Sequence, residues 1–170
     1  MSDWLSFTQI LGYLASAILI TGYAIKSDKK TKIVLIFSSL FFTAHFFLLG
    51  AFTAAIICAI NAMRNVTSIF YHGSKAIFFI FMTVYVLSGY FTYQNFIDVL
   101  PLTAAILTCV GMFFLSGLNF RVLIVIAALL WVVHNVVVGS IGGTINSAIL
   151  FFVSSITVIR LYRERNKNAV

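Results

Sequence analysis

Long apolar runs alternate with short polar breaks along the whole chain, and that alternation predicts seven helices. The runs fall at about residues 8–25, 33–49, 53–71, 76–93, 99–116, 122–138 and 144–162. Each approaches the roughly 20 apolar residues that cross a bilayer's hydrocarbon core as a helix. They are continuously apolar and lack the period-two pattern of an outer-membrane barrel strand. The breaks are Lys26–Lys32, Gly50–Phe52, His72–Lys75, Gln94–Asp98, Gly117–Arg121 and Gly139–Gly143. Pro101 falls in the first turn of the fifth helix, where a missing N–H costs no intrahelical bond.

A second pattern lies over the first. Leu130–Gly143 (LWVVHNVVVGSIGG) echoes Phe41–Ala54 (FFTAHFFLLGAFTA) at an offset of 89 residues. The offset joins His45 to His134 and Gly50 to Gly139, and carries back through Gly22/Gly111 to Leu11/Leu100. It also joins Ser27/Ser116 and the basic pair Lys32/Arg121. Apolar matches carry little weight in so apolar a chain; the histidine pair counts because the chain has 3 histidines in all. A repeat at fixed offset points to duplication. The unit is three helices, and two such units joined directly would face opposite ways. One unmatched helix between them restores a common orientation. The expectation is an all-α integral membrane protein with seven transmembrane helices in one domain spanning residues 1–170. Residues 8–72 form the first unit, 76–93 the linker helix, 99–162 the second unit, and 163–170 a basic tail. This is a three-plus-one-plus-three parallel internal repeat.

Composition agrees with a membrane location. Of the 170 residues, 62% are hydrophobic and 9% charged, against about 25% charged in soluble domains. The formal charge of +7 is explained by topology, so nucleic acid is not an expected partner. Lys26, Lys29, Lys30, Lys32, Lys75, Arg121, Arg160, Arg163, Arg165 and Lys167 all fall on one side of the ladder. The other side holds Asp3 and Asp98. The positive-inside rule then predicts a periplasmic N-terminus and a cytoplasmic C-terminus. Charge follows the first apolar run instead of preceding it, so a cleaved signal is not expected. Trp4, Tyr90 and Tyr93 near the outer boundary, and Tyr71 and Tyr162 near the inner one, suit interfacial anchors. The expected partners are membrane lipid, a small polar solute and, in a homo-oligomer, a second copy of the chain.

The parallel-repeat plan resembles the SWEET, SemiSWEET and PQ-loop (MtN3-like) transporter superfamily. Leu11–Lys26 (LGYLASAILITGYAIK) is similar to the SemiSWEET opening helix, and Leu130–Ser140 to the tryptophan-bearing second helix. The superfamily's Pro-Gln pair is absent: Pro101 is followed by Leu102. A more specific resemblance, running end to end, is to the bacterial inner-membrane family typified by YgjV. It rests on His45–Asn65 (HFFLLGAFTAAIICAINAMRN), Trp131–Phe152 (WVVHNVVVGSIGGTINSAILFF) and Ile156–Arg163 (ITVIRLYR). The resemblance implies fold and location rather than a substrate.

Candidate chemistry centres on the two histidines. Ser38, Phe42, His45 and Leu49 share one face of the second helix; Ala127, Trp131, His134 and Val138 share the matching face of the sixth. Each histidine follows an aromatic by about one turn. Ionisable groups at membrane depth are costly and face a bundle interior or a watered cavity. One reading is a central pocket lined by Phe42, His45, Trp131 and His134; the other makes the histidines interhelical hydrogen-bonding groups. Asn61, Asn135 and Asn146 are polar candidates for the same pocket. The superfamily resemblance implies a substrate-facing asparagine on each unit's third helix, although Asn61 and Asn146 are 85 residues apart, not 89. Arg64 either contacts an anion or snorkels to the cytoplasmic interface. Gly139, Gly142 and Gly143 suit a tight turn or an outer gate. His72 reads as a solvated loop residue.

Cys58 and Cys109 lack metal-ligand spacing, and no metal or cofactor is expected. No carboxylate dyad, His-Glu-x-x-His pattern or Ser-His-Asp set is visible, so the chain is not expected to be an enzyme. The functional expectation is a small-solute facilitator working by alternating access. The alternative is a non-transporting sensor or interaction protein whose histidines are structural.

Overall fold

In lipid every backbone N–H and C=O must be satisfied within the protein, and a helix does so within one segment. The computed structural model follows that rule. It describes residues 5–24, 28–71, 74–115 and 117–167, excepting the side chains of 23, 24, 28, 29, 31, 166 and 167. The expectations for Asp3, Trp4, Lys26, His72 and the Ser27/Ser116 pair lie outside these residues. The helices are α1 (Phe7–Ala24), α2 (Asp28–Leu48), α3 (Phe52–Phe70), α4 (Lys75–Thr92), α5 (Val99–Phe114), α6 (Gly117–Val137) and α7 (Ile141–Lys167). A 3₁₀ turn, Phe96–Asp98, leads into α5. Among the described residues there is no strand.

By length and composition, five segments can cross a membrane: α3, α4, α5 with its 3₁₀ turn, α6 and α7. The apolar stretches of α1 and α2, Phe7–Gly22 and Lys32–Leu48, are shorter. Several helices outrun their apolar cores. Lys29, Lys30 and Lys32, expected in a loop, lie in the first turns of α2. Gly117–Arg121, expected as a turn, opens α6. The tail continues α7 to Lys167. An apolar run measures hydrocarbon thickness, whereas a helix ends where its hydrogen bonding ends.

The helices form a closed ring. α1 packs on α2, α2 on α3, α3 on α5, α5 on α6, α6 on α7, and α7 back on α1; α4 packs against α3 and α5. Exchanging α1, α2 and α3 for α5, α6 and α7 leaves the six pairs of the ring unchanged, while the contacts of α4 fall outside this symmetry. Both ends of α6 lie 89 residues after those of α2, and α7 begins 89 residues after α3. The turns after α2 and α6 match in detail. Gly50 has φ +75° and Gly139 φ +73°. Ala51 N–H donates to Phe46 O at 2.9 Å and Ser140 N–H to Asn135 O at 2.8 Å. With the Gly50–Phe47 and Gly139–Val136 bonds, each turn is a Schellman cap that satisfies carbonyls the helix leaves open.

Small residues make the close contacts. Ala15, Ala54, Ala104, Ala127 and Ala128 are buried, as expected where helix backbones must approach in lipid. One apolar cluster centres on Phe42, Phe46 and Ala54, another on Ile57, Phe81, Tyr85 and Cys109; Trp131 packs against both. Large apolar side chains such as Phe37, Phe79, Ile80 and Phe152 point outward. Tyr71, Tyr90, Tyr93 and Tyr162 are also exposed.

Candidate functional site

The site is held by a polar stripe on α1. Gln9, Gly12 and Ser16 follow one another at helical spacing on one face. Gln9 Nε2 donates to Gly139 O at 2.7 Å, and its Oε1 accepts from Ile141 N–H at 3.2 Å. Ser16 Oγ donates to Gly142 O at 2.7 Å. The backbones almost touch between these bonds: a Cβ on Gly142 would lie 2.5 Å from Gly12 C and O. Gly142 and Gly143, expected in a turn, are helical. Positive φ is required at Gly139; Gly142 is needed for close approach. A second bond, from Ser38 Oγ to Ala15 O at 2.8 Å, ties α2 to α1.

His45 completes this junction. It is fully buried, with Nδ1 2.7 Å from Thr8 O and Nε2 2.7 Å from Ser140 Oγ. A carbonyl can only accept, so Nδ1 carries the proton and Nε2 of the neutral ring accepts from the Ser140 hydroxyl. Ser140 Oγ in turn accepts from Gly143 N–H at 3.2 Å. Gly12 leaves room for the ring, since a Cβ there would lie 2.7 Å from His45 Cε1. One imidazole therefore links α1, α2 and the α6–α7 turn with both nitrogens used.

His134 occupies the matching position on α6 and has different surroundings. It is fully buried, yet neither ring nitrogen has a hydrogen-bond partner. The Asn135 side chain is close to it but outside hydrogen-bonding geometry. Asn135 Nδ2 donates to Ser147 Oγ at 3.0 Å, while its Oδ1 has no partner. The sequence accounts for the difference. At the 89-residue offset Ser140 is matched by Ala51, Gly12 by Pro101, and Thr8 by Ile97 in the 3₁₀ turn. The serine donor and the glycine hollow are thus both replaced. Asp98, at the position matching Gln9, accepts from Gln94 N–H and Asn95 N–H instead of reaching the α2–α3 turn.

Both histidines meet around Phe46, a residue the sequence reading did not single out. Phe46 stacks on Trp131 and Phe42 at centroid separations of 5.8 and 5.7 Å, and lies 5.2 Å from His45 and 5.7 Å from His134. Phe42 and Trp131 stand edge-on to their own histidines at 6.3 and 5.6 Å. Of the expected pocket residues, Phe42, His45, Trp131 and His134 converge here, with Asn135 beside His134. Asn146 is buried on α7. Asn61 belongs elsewhere, accepting at Oδ1 from Tyr85 O–H at 2.6 Å. Arg64, one turn on, reaches towards Tyr85 and Cys109. Its Nε and Nη1 are buried without hydrogen-bond partners, while the side chain as a whole is partly exposed. Gln9, Ser16 and Ser140 were also missed. The first two were legible as a polar stripe on an apolar helix; nothing local marked Ser140. No group of three His, Cys, Asp or Glu side chains that could hold a metal occurs among the described residues.

An all-helical chain with several membrane-length apolar helices and a polar junction inside them is a polytopic membrane protein. The family model Imp-YgjV, described as "Bacterial inner membrane protein", matches residues 6–165. The chain belongs to that family. It is similar to the Inner membrane protein YgjV of Escherichia coli (strain K12), with 27% identity over 164 residues, 96% of this chain and 88% of the relative. No solved structure matches.

Proposed function

We propose that this chain is an inner-membrane facilitator for a small, polar, uncharged solute, without enzymatic activity. All seven helices span the membrane, with the N-terminus periplasmic and the C-terminus cytoplasmic. Two three-helix units, α1–α3 and α5–α7, are parallel repeats joined by α4. The matched helix boundaries, the twin Schellman turns and the exchangeable packing pairs support that arrangement. The units rock against one another about Phe46 and Trp131 to expose the site to alternate sides.

The observation that carries the solute site is the set of unpartnered groups around His134. Its two ring nitrogens and Asn135 Oδ1 are buried without hydrogen bonds. Leaving such groups unpaired costs about 1–3 kcal/mol each. A solute offering both a donor and an acceptor would recover that cost, with Trp131 as an aromatic wall. Polar groups converging beside apolar walls are the usual make-up of a ligand site. The test is a thermal-stability screen of purified protein across sugars, amino acids, nucleosides and organic acids. A saturable rise for one class in wild type, absent in H134A, supports the reading; no rise with any class counts against it.

A second reading, a non-transporting sensor or interaction protein, is favoured by His45. Both its nitrogens are used in holding helices together. Under that reading His134 is packing alone.

A further inference from the structure

Arg64 and its neighbours present hydrogen-bond donors without acceptors. Arg64 Nε and Nη1 are buried and unpartnered. Three residues earlier on the same helix face, Asn61 Oδ1 is taken by the Tyr85 hydroxyl, which leaves the Nδ2 amide hydrogens as that side chain's free function. The Tyr85 hydroxyl spends its one hydrogen on that bond. Cys109, the other side chain the guanidinium approaches, is a free, buried thiol, whose sulfur is a weak acceptor that leaves Nε and Nη1 unpartnered. Among the described side chains no carboxylate balances the charge: Asp98 caps the 3₁₀ turn before α5 and Glu164 is exposed near the end of α7. A guanidinium with buried nitrogens costs a great deal unless a counter-charge reaches it, and an ionisable group within a membrane span marks a site by default.

From this donor set we infer that α3, α4 and α5 form a binding site for an oxyanion, a carboxylate or phosphate group seated on Arg64 with Asn61 Nδ2 as a second donor. Guanidinium geometry suits both groups. The site is separate from the one around His134 and holds whether or not a solute crosses the membrane there. The oxyanion comes either from a free small molecule or from the phosphate of an anionic phospholipid headgroup.

The experiment measures thermal unfolding of the full chain in neutral detergent. The probes are inorganic phosphate, succinate, and phosphatidylglycerol in mixed micelles, with sodium chloride and phosphatidylcholine as matched controls. Wild type should gain about 5 °C or more at saturation with at least one probe. A gain with phosphate or succinate assigns a free oxyanion; a gain with phosphatidylglycerol alone assigns the headgroup. R64Q should lose the gain while its ligand-free Tm equals or exceeds that of wild type, because an unpaired charge has been removed. N61D places a carboxylate beside the guanidinium, and should also lose the gain while remaining folded. If R64Q does not fold, N61D decides. Wild type showing no saturable gain with any probe, or folded variants keeping the full gain, would overturn the inference.

Discussion

His45 Nε2 and Ser140 Oγ are 2.7 Å apart although 95 residues separate them in sequence, and this bond fastens α2 to the turn between α6 and α7. His45 uses its other nitrogen on Thr8 O at 2.7 Å. The junction thereby joins elements from both ends of the chain, while His134, at the matching place on α6, fastens nothing.

Removing the serine hydroxyl should therefore be costly. S140A leaves His45 Nε2 and Gly143 N–H without their partner, and is expected to destabilise the protein by about 1–3 kcal/mol. Thermal unfolding of S140A, H45A and the double variant measures the coupling. The two losses should overlap by about 0.5–3 kcal/mol; strictly additive losses would contradict the bond's importance.

Two glycines at the same turn should respond for different reasons. G139A meets no atom within 4 Å of its new Cβ, so the expected loss is the cost of φ +73°, about 1–2 kcal/mol. G142A drives a Cβ to 2.5 Å from the Gly12 backbone and must separate α1 from α7, with an expected loss larger than that of G139A. Tm values for the pair check the order; equal losses would mean that α1 and α7 do not approach as described.

Much of this was legible in the sequence. The apolar runs marked all seven helices, and i, i+3 spacing put Phe42 and His45 on one buried face. Gly50 and Gly139 were legible as turn residues from their place after an apolar run. Helix ends at Asp28 and Gly117 were not, because charge does not end a helix that continues past the hydrocarbon. Gly142 and Gly143 were misplaced into the turn because close helix approach and positive φ call for the same residue. The Gln9–Gly139 bond joins positions 130 residues apart, and no local pattern names a partner at that distance. The unequal histidines could have been anticipated by following the 89-residue offset one step further, from Ser140 to Ala51 and from Gly12 to Pro101.

The orientation is tested by reporter fusions. Fusions within the Gln94–Asn95 turn should report from the periplasm, and fusions after Arg165 from the cytoplasm, because lysine and arginine lie on one side of the ladder. A periplasmic C-terminus would contradict the seven-span topology.

The most direct measurement compares H45A with H134A in the absence and presence of whichever solute stabilises wild type. H45A breaks a satisfied junction, so its ligand-free Tm should fall by several degrees, at about 2–4 °C per kcal/mol for a chain of this size. H134A removes a ring with no hydrogen bonds, so its ligand-free Tm should fall less, by the packing against Phe46 and Trp131 alone. The solute-induced rise should persist in folded H45A and vanish in H134A. An undiminished rise in H134A, or its disappearance only in H45A, would contradict the assignment of the solute site to His134.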